Sequence, residues 1–406
     1  MEIGCVFLLI IAVENLYLEL SIIIVNYRVP VFLEQCILSV KRSMQQISGE
    51  IIVVDNASED KSVEHLRKAF PDVQFIFSPT NIGFARANNL GLAHASGQYV
   101  LFLNPDTLVP ENTLSHCVQF LHKNISCGAV GVRMINGFGN YLPESKRARP
   151  GLLNAFFKLT GVAALFPKSG WLNHYALGHL SIQEQHPVAI LAGAFMMVRK
   201  TILNQLDGFD AAFFMYGEDV DLSVRVQQLG YSIFYLGDAC IIHYKGQSSR
   251  NRTQQQNRIF YKAMRLFVQK HYRLGGLLIP FIFLVQWMAA FRKWLSPPRS
   301  VMPMLNSVSS AFVLGDLVAC EHARLLINNR SKPGIIKGCI GIQEKALSQI
   351  GHLSELSLLC QQYDIKQLII CVPDLSLQEA TQLMTRLRGL FFRFVFTGSD
   401  SLPFNN

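Results

Sequence analysis

Apolar residues in the first 110 positions fall into two alternating patterns. Short, nearly unbroken runs, Leu20-Ser-Ile-Ile-Ile-Val25, Glu50-Ile-Ile-Val-Val-Asp55, Val73-Gln-Phe-Ile-Phe77 and Tyr99-Val-Leu-Phe-Leu103, have the length and β-branched content of strands buried on both faces. Between them apolar residues return at helical spacing. Leu33, Ile37, Val40 and Met44 follow Pro30, and Val63, Leu66 and Phe70 follow the capping turn Asn56–Asp60; Ala85–Ala95 is a third such stretch. A helix near Glu111–Lys123 comes next. This alternation predicts an α/β fold built on a parallel sheet with helices on both faces. Pro105 cannot donate to a ladder, so the fourth strand should stop at Asn104.

Beyond position 136 the periodicity is lost to 187, a stretch punctuated by Gly and Pro that reads as a long functional loop region. Leu191–Arg199 returns as a strand, and Asp207-Gly-Phe-Asp210 as a turn. A helix then carries Leu222, Val226 and Leu229 and ends at Gly230. Tyr231–Tyr235 and Ala239–His243 read as two further strand pieces. At the start, residues 3–13 form an apolar run of signal-peptide length, but Glu2 precedes it and neither a basic flank nor a cleavage site accompanies it. Residues 1–19 are therefore read as a poorly ordered or membrane-touching extension. Ser296-Pro-Pro-Arg-Ser300 reads as a linker. After it, Ala311–Gly315, Gly334–Gly341, Leu368–Pro373 and Phe392–Phe396 are strand-like, with helices between, which predicts a small second α/β domain over 301–406.

Composition adds a compartment and a surface. The 406 residues suffice for two or three domains, half of them hydrophobic and only 16% charged. Nine cysteines without a Cys-x-x-Cys pair read as reduced core thiols of a cytosolic protein. The net charge of +9 is concentrated: Lys245 to Arg299 holds eleven basic residues and no acid. Within that block Arg258–Tyr272 reads as a basic amphipathic helix. Leu274–Phe291 is 18 residues without a charge, bracketed by Arg273 and Arg292-Lys293 and interrupted by Pro280. Basic residues on both flanks favour an in-plane or re-entrant membrane element over a crossing helix or a buried core helix. The expectation for 250–300 is attachment to the anionic cytoplasmic face of the inner membrane. No stacking or groove-reading motif accompanies the block, so nucleic acid is not an expected partner.

The candidate chemistry gathers at strand ends. Asp55, Asn104 and Asp106 stand at the carboxyl ends of buried strands, where open α/β sheets bind their ligands. Asn104 and Asp106 are either a polar turn or a hard-oxygen pair for a divalent cation bridging two phosphates. In the turn before Ala85, Asn81 and Gly83 tolerate positive φ. Arg86, one turn into the helix, is either structural or a bidentate clamp for a base or phosphate. Asp219 falls at a helix N-terminus, where an acid is often only a cap. Yet Glu218, Asp219 and Asp221 together are more acid than capping needs. His243 is either a structural histidine or the closure of the same crevice.

The order VDNAS, NIGFARANN, LNPDT, GAFMMVRK, GEDVDL and IIHY, spread from Leu20 to Ser249, resembles glycosyltransferase family 2, inverting enzymes of the GT-A nucleotide-diphospho-sugar transferase fold. It looks closest to the rhamnosyltransferase-like members that build bacterial surface polysaccharides. The resemblance implies that Asp55 and Arg86, with Asn81, Gly83 and Asn104, bind the nucleotide of a dTDP-, UDP- or GDP-linked sugar. It implies that Asp106, at the Asp-x-Asp position, and His243 hold Mg2+ or Mn2+. Asp219 takes the catalytic-base position, with Gly193 and Glu218 on the acceptor side, and the acceptor is a lipid-linked saccharide. Asn104 departs from the family acid; an amide ligates through its oxygen but brings no charge. The competing class is a non-catalytic membrane scaffold of a polysaccharide assembly complex, which would need none of Asp55, Asp106, Asp219 and His243. Further on, GHLSEL and YDIKQLIICVPDLSLQEA resemble the Rossmann-like domain beside bacterial polyprenyl-phosphate sugar transferases. Gly315-Asp-Leu-Val-Ala-Cys320 keeps only the first glycine of a phosphate-binding Gly-x-Gly-x-x-Gly, so a structural or partner-docking role is implied there.

Overall fold

The computed structural model describes residues 18–58, 62–151, 169, 174–245, 254–272, 280, 311–328, 336–342, 349–372, 374–387 and 389–396. Residues 1–17 of the extension expected over 1–19, all of the uncharged segment 274–291 but residue 280, and the linker 296–300 lie outside the described residues.

The amino-terminal alternation is as expected: β1 (Leu20–Asn26), α1 (Pro30–Ser43), β2 (Gly49–Asn56), α2 (Ser62–Ala69), β3 (Gln74–Ser78), α3 (Phe84–Leu92) and β4 (Tyr99–Leu103). Then come β5 (Thr107–Leu108), α4 (Thr113–Lys123), β6 (Cys127–Ile135), β7 (Gln185–Pro187), β8 (Phe195–Arg199), α5 (Lys200–Leu206), α6 (Glu218–Gln228), β9 (Ser232–His243) and α7 (Gln254–His271). The sheet runs β3-β2-β1-β4-β8-β6-β9-β5, with β7 on β9. Residues alternate between its two faces: Ile22, Ile24 and Leu101 pack under α1 and α4, while Ile23, Val100 and Phe102 pack under α3, α6 and α7.

Three expectations are corrected. The sheet is mixed, not parallel: β8 runs antiparallel to both β4 and β6, and β5 and β7 antiparallel to β9. Apolar periodicity identifies a strand but carries no direction once a long loop intervenes. The strand expected over Leu191–Arg199 is confined to Phe195–Arg199. The backbone before it finds partners elsewhere: Leu191 N donates to Ser223 Oγ (3.2 Å), Gly193 N to Asp219 Oδ2 (3.1 Å), and the Ala194 carbonyl accepts from Asn104 N (3.0 Å). Tyr231–Tyr235 and Ala239–His243 are one strand, β9, whose pairing with β6 jumps from Val132↔Leu236 to Arg133↔Cys240. The bulge holds Gly237, where a Cβ would lie 2.5 Å from the Glu184 carbonyl oxygen.

Helix α7 also differs from its expected role. It is amphipathic, but its apolar face packs on the core through Ala263 and Phe267. Lys270 bonds Asp210 and Asp221, and His271 bonds Asp221. Arg258 and Lys262 stay exposed. Among the described residues no helix is long and apolar enough to cross a membrane.

The C-terminal region forms a second sheet from β10 (Ala311–Leu314), α8 (Leu317–Asn328), β11 (Ile336–Gly341), β12 (Gly351–His352), α9 (Leu356–Gln362), β13 (Gln367–Val372), α10 (Leu377–Arg386) and β14 (Phe391–Phe396). Its order is β12-β11-β10-β13-β14, all parallel. At the reversal point between β10 and β13 the start of α8 is closed by its own acids: Asp316 N donates to Asp374 Oδ2 (2.8 Å) and Ala319 N to Asp316 Oδ1 (2.7 Å). Two carboxylates therefore stand where a pyrophosphate would meet a helix N-terminus. The eight described cysteines are free thiols, all buried but for a half-buried Cys360.

Candidate active site

The crevice is built at the carboxyl ends of β1, β2 and β4. Because Pro105 ends β4, the chain turns and re-enters as β5 against β9, with Thr107 opposite His243 and Tyr244 N donating to the Asp106 carbonyl (2.9 Å). That register brings His243 Nε2 within 3.3 Å of Asp106 Oδ1, both side chains under 8% exposed. The separation is what two adjacent ligands on one metal ion require when each bond is about 2.1 Å. His243 Nδ1 is buried without a hydrogen-bond partner. Among the described residues no third His, Cys, Asp or Glu joins the pair. A cation held here would take its remaining ligands from phosphate oxygens and water, as Mg2+ commonly does. The Asn104 carbonyl accepts from Thr107 Oγ1 (2.7 Å), fixing the turn. Nearby Cys36 is no nucleophile, since burial pushes its thiol up to about 12.

On the β2 side, Asp55 accepts from Asn26 Nδ2 (2.8 Å) through Oδ1 and from Ser58 N (3.0 Å) through Oδ2. Asn56 reaches across to the next turn, donating to Asn81 Oδ1 (3.0 Å) and accepting from Ile82 N (2.9 Å). Asn81 Oδ1 also accepts from Gly83 N (3.0 Å). Of Asn81 and Gly83, only Gly83 uses the left-handed region (φ +85°), and its Cβ would lie 2.5 Å from the Phe214 carbonyl oxygen. Arg86 is exposed, and its Nε donates to the Ala211 carbonyl (3.2 Å). It ties α3 to the 207–213 loop.

The third part of the site is more than a cap. Gly217 (φ +83°) turns the chain into α6, and Asp219 Oδ2 accepts from Arg147 Nη2 (2.6 Å) and Gly193 N (3.1 Å). Its Oδ1 accepts from Val220 N (2.8 Å). The same Arg147 nitrogen reaches the Leu191 carbonyl (2.5 Å). Burial alone would lower the guanidinium pKa; the adjacent carboxylate outweighs it and holds the group above its ordinary value. Glu218 is 7% exposed, with Oε2 lacking a partner. Burial, then the charge of Asp219, pushes its carboxyl up to about 8. Asp221 is fully buried against Arg225, Lys270 and His271 and serves the fold. Sequence reasoning missed Arg147 because it lies in the aperiodic stretch 136–187; the basic run Lys146-Arg147-Ala-Arg149 was the available signal.

Comparison with known proteins finds relatives among sugar transferases. The chain is 24% identical over 260 residues to an N-acetylglucosaminyl-diphospho-decaprenol L-rhamnosyltransferase of Mycobacterium tuberculosis, covering 61% of this chain and 83% of that one. It is 24% identical to rhamnosyltransferase WbbL of Escherichia coli K12, covering 58% and 86%. A hexosyltransferase of low-salt glycan biosynthesis, Agl10 of Haloferax volcanii, is 26% identical over 61% and 78%. The solved mannosyltransferase PcManGT of Pyrobaculum calidifontis aligns with a TM-score of 0.43 at 18% identity over 68% of this chain and 72% of that one, too distant for anything to be carried over. Residues 21–207, from β1 to the turn after α5, match glycosyl transferase family 2.

Proposed function

We propose that this protein is an inverting glycosyltransferase that moves a sugar, rhamnose being the leading candidate, from a nucleoside diphosphate to a lipid-linked or polysaccharide acceptor in bacterial cell-surface polysaccharide synthesis. It works at the cytoplasmic face of the inner membrane. The observation that carries the reading is the pairing, in a chain whose residues 21–207 match glycosyl transferase family 2, of Asp106 and His243 at one end of the crevice with the Arg147-anchored Asp219 beside Gly193. Both curated rhamnosyltransferases support the donor sugar, and the decaprenol-linked name of the first supports a lipid-linked acceptor.

The nucleotide lies along the ends of β1 and β2, where Asp55 and the Asn81–Gly83 turn receive base and ribose. Asp106 and His243 would hold Mg2+ or Mn2+, which supplies positive charge to the departing diphosphate. Asp219 takes the proton of the acceptor hydroxyl as that oxygen bonds the anomeric carbon and the carbon–phosphate oxygen bond breaks. A single displacement inverts the anomeric centre. Arg147 and Gly193 N hold the Asp219 carboxylate in place, so little reorganisation is needed when the proton arrives.

The deciding experiment incubates the purified chain with dTDP-, UDP- and GDP-sugars, with Mn2+ or with chelator, and follows release of the nucleoside diphosphate. One donor should be consumed, faster with metal. Failure of every donor, with and without lipid extract, would favour the scaffold class instead.

A further inference from the structure

The loop that carries Asp106 is gripped from outside by the second sheet. Glu111, five residues beyond Asp106, accepts from Leu377 N (3.0 Å) and Gln378 N (3.0 Å), so a carboxylate of the first unit caps helix α10 of the second. Asn112 Nδ2 adds a bond to Gln378 Oε1 (2.6 Å). On the other strand, Tyr244 follows His243 directly, and its hydroxyl donates to the Phe392 carbonyl (3.2 Å). Phe392 N in turn donates to the Gly137 carbonyl (2.8 Å), and the Phe138 and Phe391 rings meet edge to face at 4.8 Å. One buried apolar cluster is continuous from Leu108, Ile242 and Tyr244 into Leu377, Phe392 and Phe394. The contact has the character of an interior rather than of a loose domain boundary.

We propose that the C-terminal α/β unit is a fixed outer wall of the donor site, holding Asp106 and His243 at their spacing through Glu111 and Tyr244 and thereby setting donor affinity. This rests on the donor reading above. Asp106 stands in the turn just before the two-residue strand β5, and His243 is the last residue of β9, one beyond its final pairing with β6 at Ile242. Glu111 and Tyr244 are the positioning residues that tie each to a rigid sheet. A relaxed pair binds the same diphosphate at a greater ordering cost, which weakens affinity while leaving Asp219 and Arg147 untouched.

The test uses the full chain. Glu111→Ala and Tyr244→Phe remove one tie each. Gly137→Leu wedges the units apart, because a Cβ there would lie 2.7 Å from the Phe391 ring. Binding of UDP, GDP and dTDP in Mn2+ is measured by calorimetry, and amide exchange is followed over residues 104–112 and 217–228. The variants should keep far-UV dichroism, lose at least tenfold in nucleoside diphosphate affinity, and exchange faster at 104–112 but not at 217–228. Glu111→Gln, which still presents an acceptor, should recover part of the affinity. Wild-type affinity in all three variants overturns the proposal, as does unchanged exchange at 104–112. If the wild-type chain binds none of the three nucleotides, the donor reading falls, and with it the role assigned to the wall.

Discussion

Replacing Glu218 with glutamine removes a buried acid whose pKa is pushed from an ordinary 4.5 to about 8 by desolvation and then by Asp219. A shift of that size corresponds to roughly 5 kcal/mol between protonation states. Part of it belongs to the pair rather than to one residue, so we expect about 2–4 kcal/mol from Glu218 itself. The native state keeps the proton that the unfolded chain gives up near pH 4.5. The associated stability is thus fully present below pH 4.5 and is lost as pH rises through about 8. Glu218→Gln should therefore be no more stable than wild type at pH 5. By pH 8.5 it should melt several degrees higher, at about 2–4 °C per kcal/mol for a unit of this size. Thermal melts of both proteins at half-unit steps between pH 5 and 9 read the difference directly, since titrating groups that do not interact with Glu218 cancel. A wild-type-to-variant difference that stays constant across the range would refute a buried, protonated Glu218.

Arg147→Met should destabilise the protein by about 3 kcal/mol, because a nearly buried carboxylate loses its cation, and Arg147→Lys should recover only part of this; chemical denaturation checks both. Asp219→Asn should keep nucleoside diphosphate binding and lower turnover at least a hundredfold, and activity within a few-fold of wild type would remove the base assignment. Asp106→Ala should abolish metal-stimulated nucleotide binding while Asn104→Asp preserves or strengthens it, compared by calorimetry with and without chelator. Gly83→Ala, at φ +85° against the Phe214 carbonyl, should cost at least about 1 kcal/mol in a melt and weaken donor binding through the 81–83 turn.

The first four strands were legible because each is an unbroken apolar run between amphipathic helices, and the limit of β4 was legible because Pro105 has no N–H to give. Strand β6 was not picked out, since Gly128, Gly131 and Arg133 interrupt the apolar run of Cys127–Ile135. The antiparallel insertion of β8 could not be read, because strand direction depends on where the long loop returns. At the site, Asp106 and His243 were legible as strand-end polar residues, although 137 positions separate them; only the β5–β9 register shows that they touch. The bond of Arg86 to the Ala211 carbonyl was not legible, because residue type and helix position do not say which way a long side chain turns. The partnership of Arg147 with Asp219 was invisible for a related reason: a guanidinium and a carboxylate 72 residues apart carry no periodic signal.

Helix α7 shows how one apolar stripe can answer to two partners in sequence and only one in structure. Ala263 and Phe267 are spent on the core, so burial of that face cannot also draw the helix into a bilayer. Any membrane attraction from this region must come from its outward bases, including Arg258 and Lys262, and from residues 274–291 downstream. The placement of α7 still matters for the chemistry. Its Phe260 ring packs against Tyr216 at 5.8 Å, and Ala263 Cβ lies 3.6 Å from where a Cβ of Gly217 would stand. Gly217 is the turn that presents Glu218 and Asp219. Through these contacts α7 braces the turn that carries both acids.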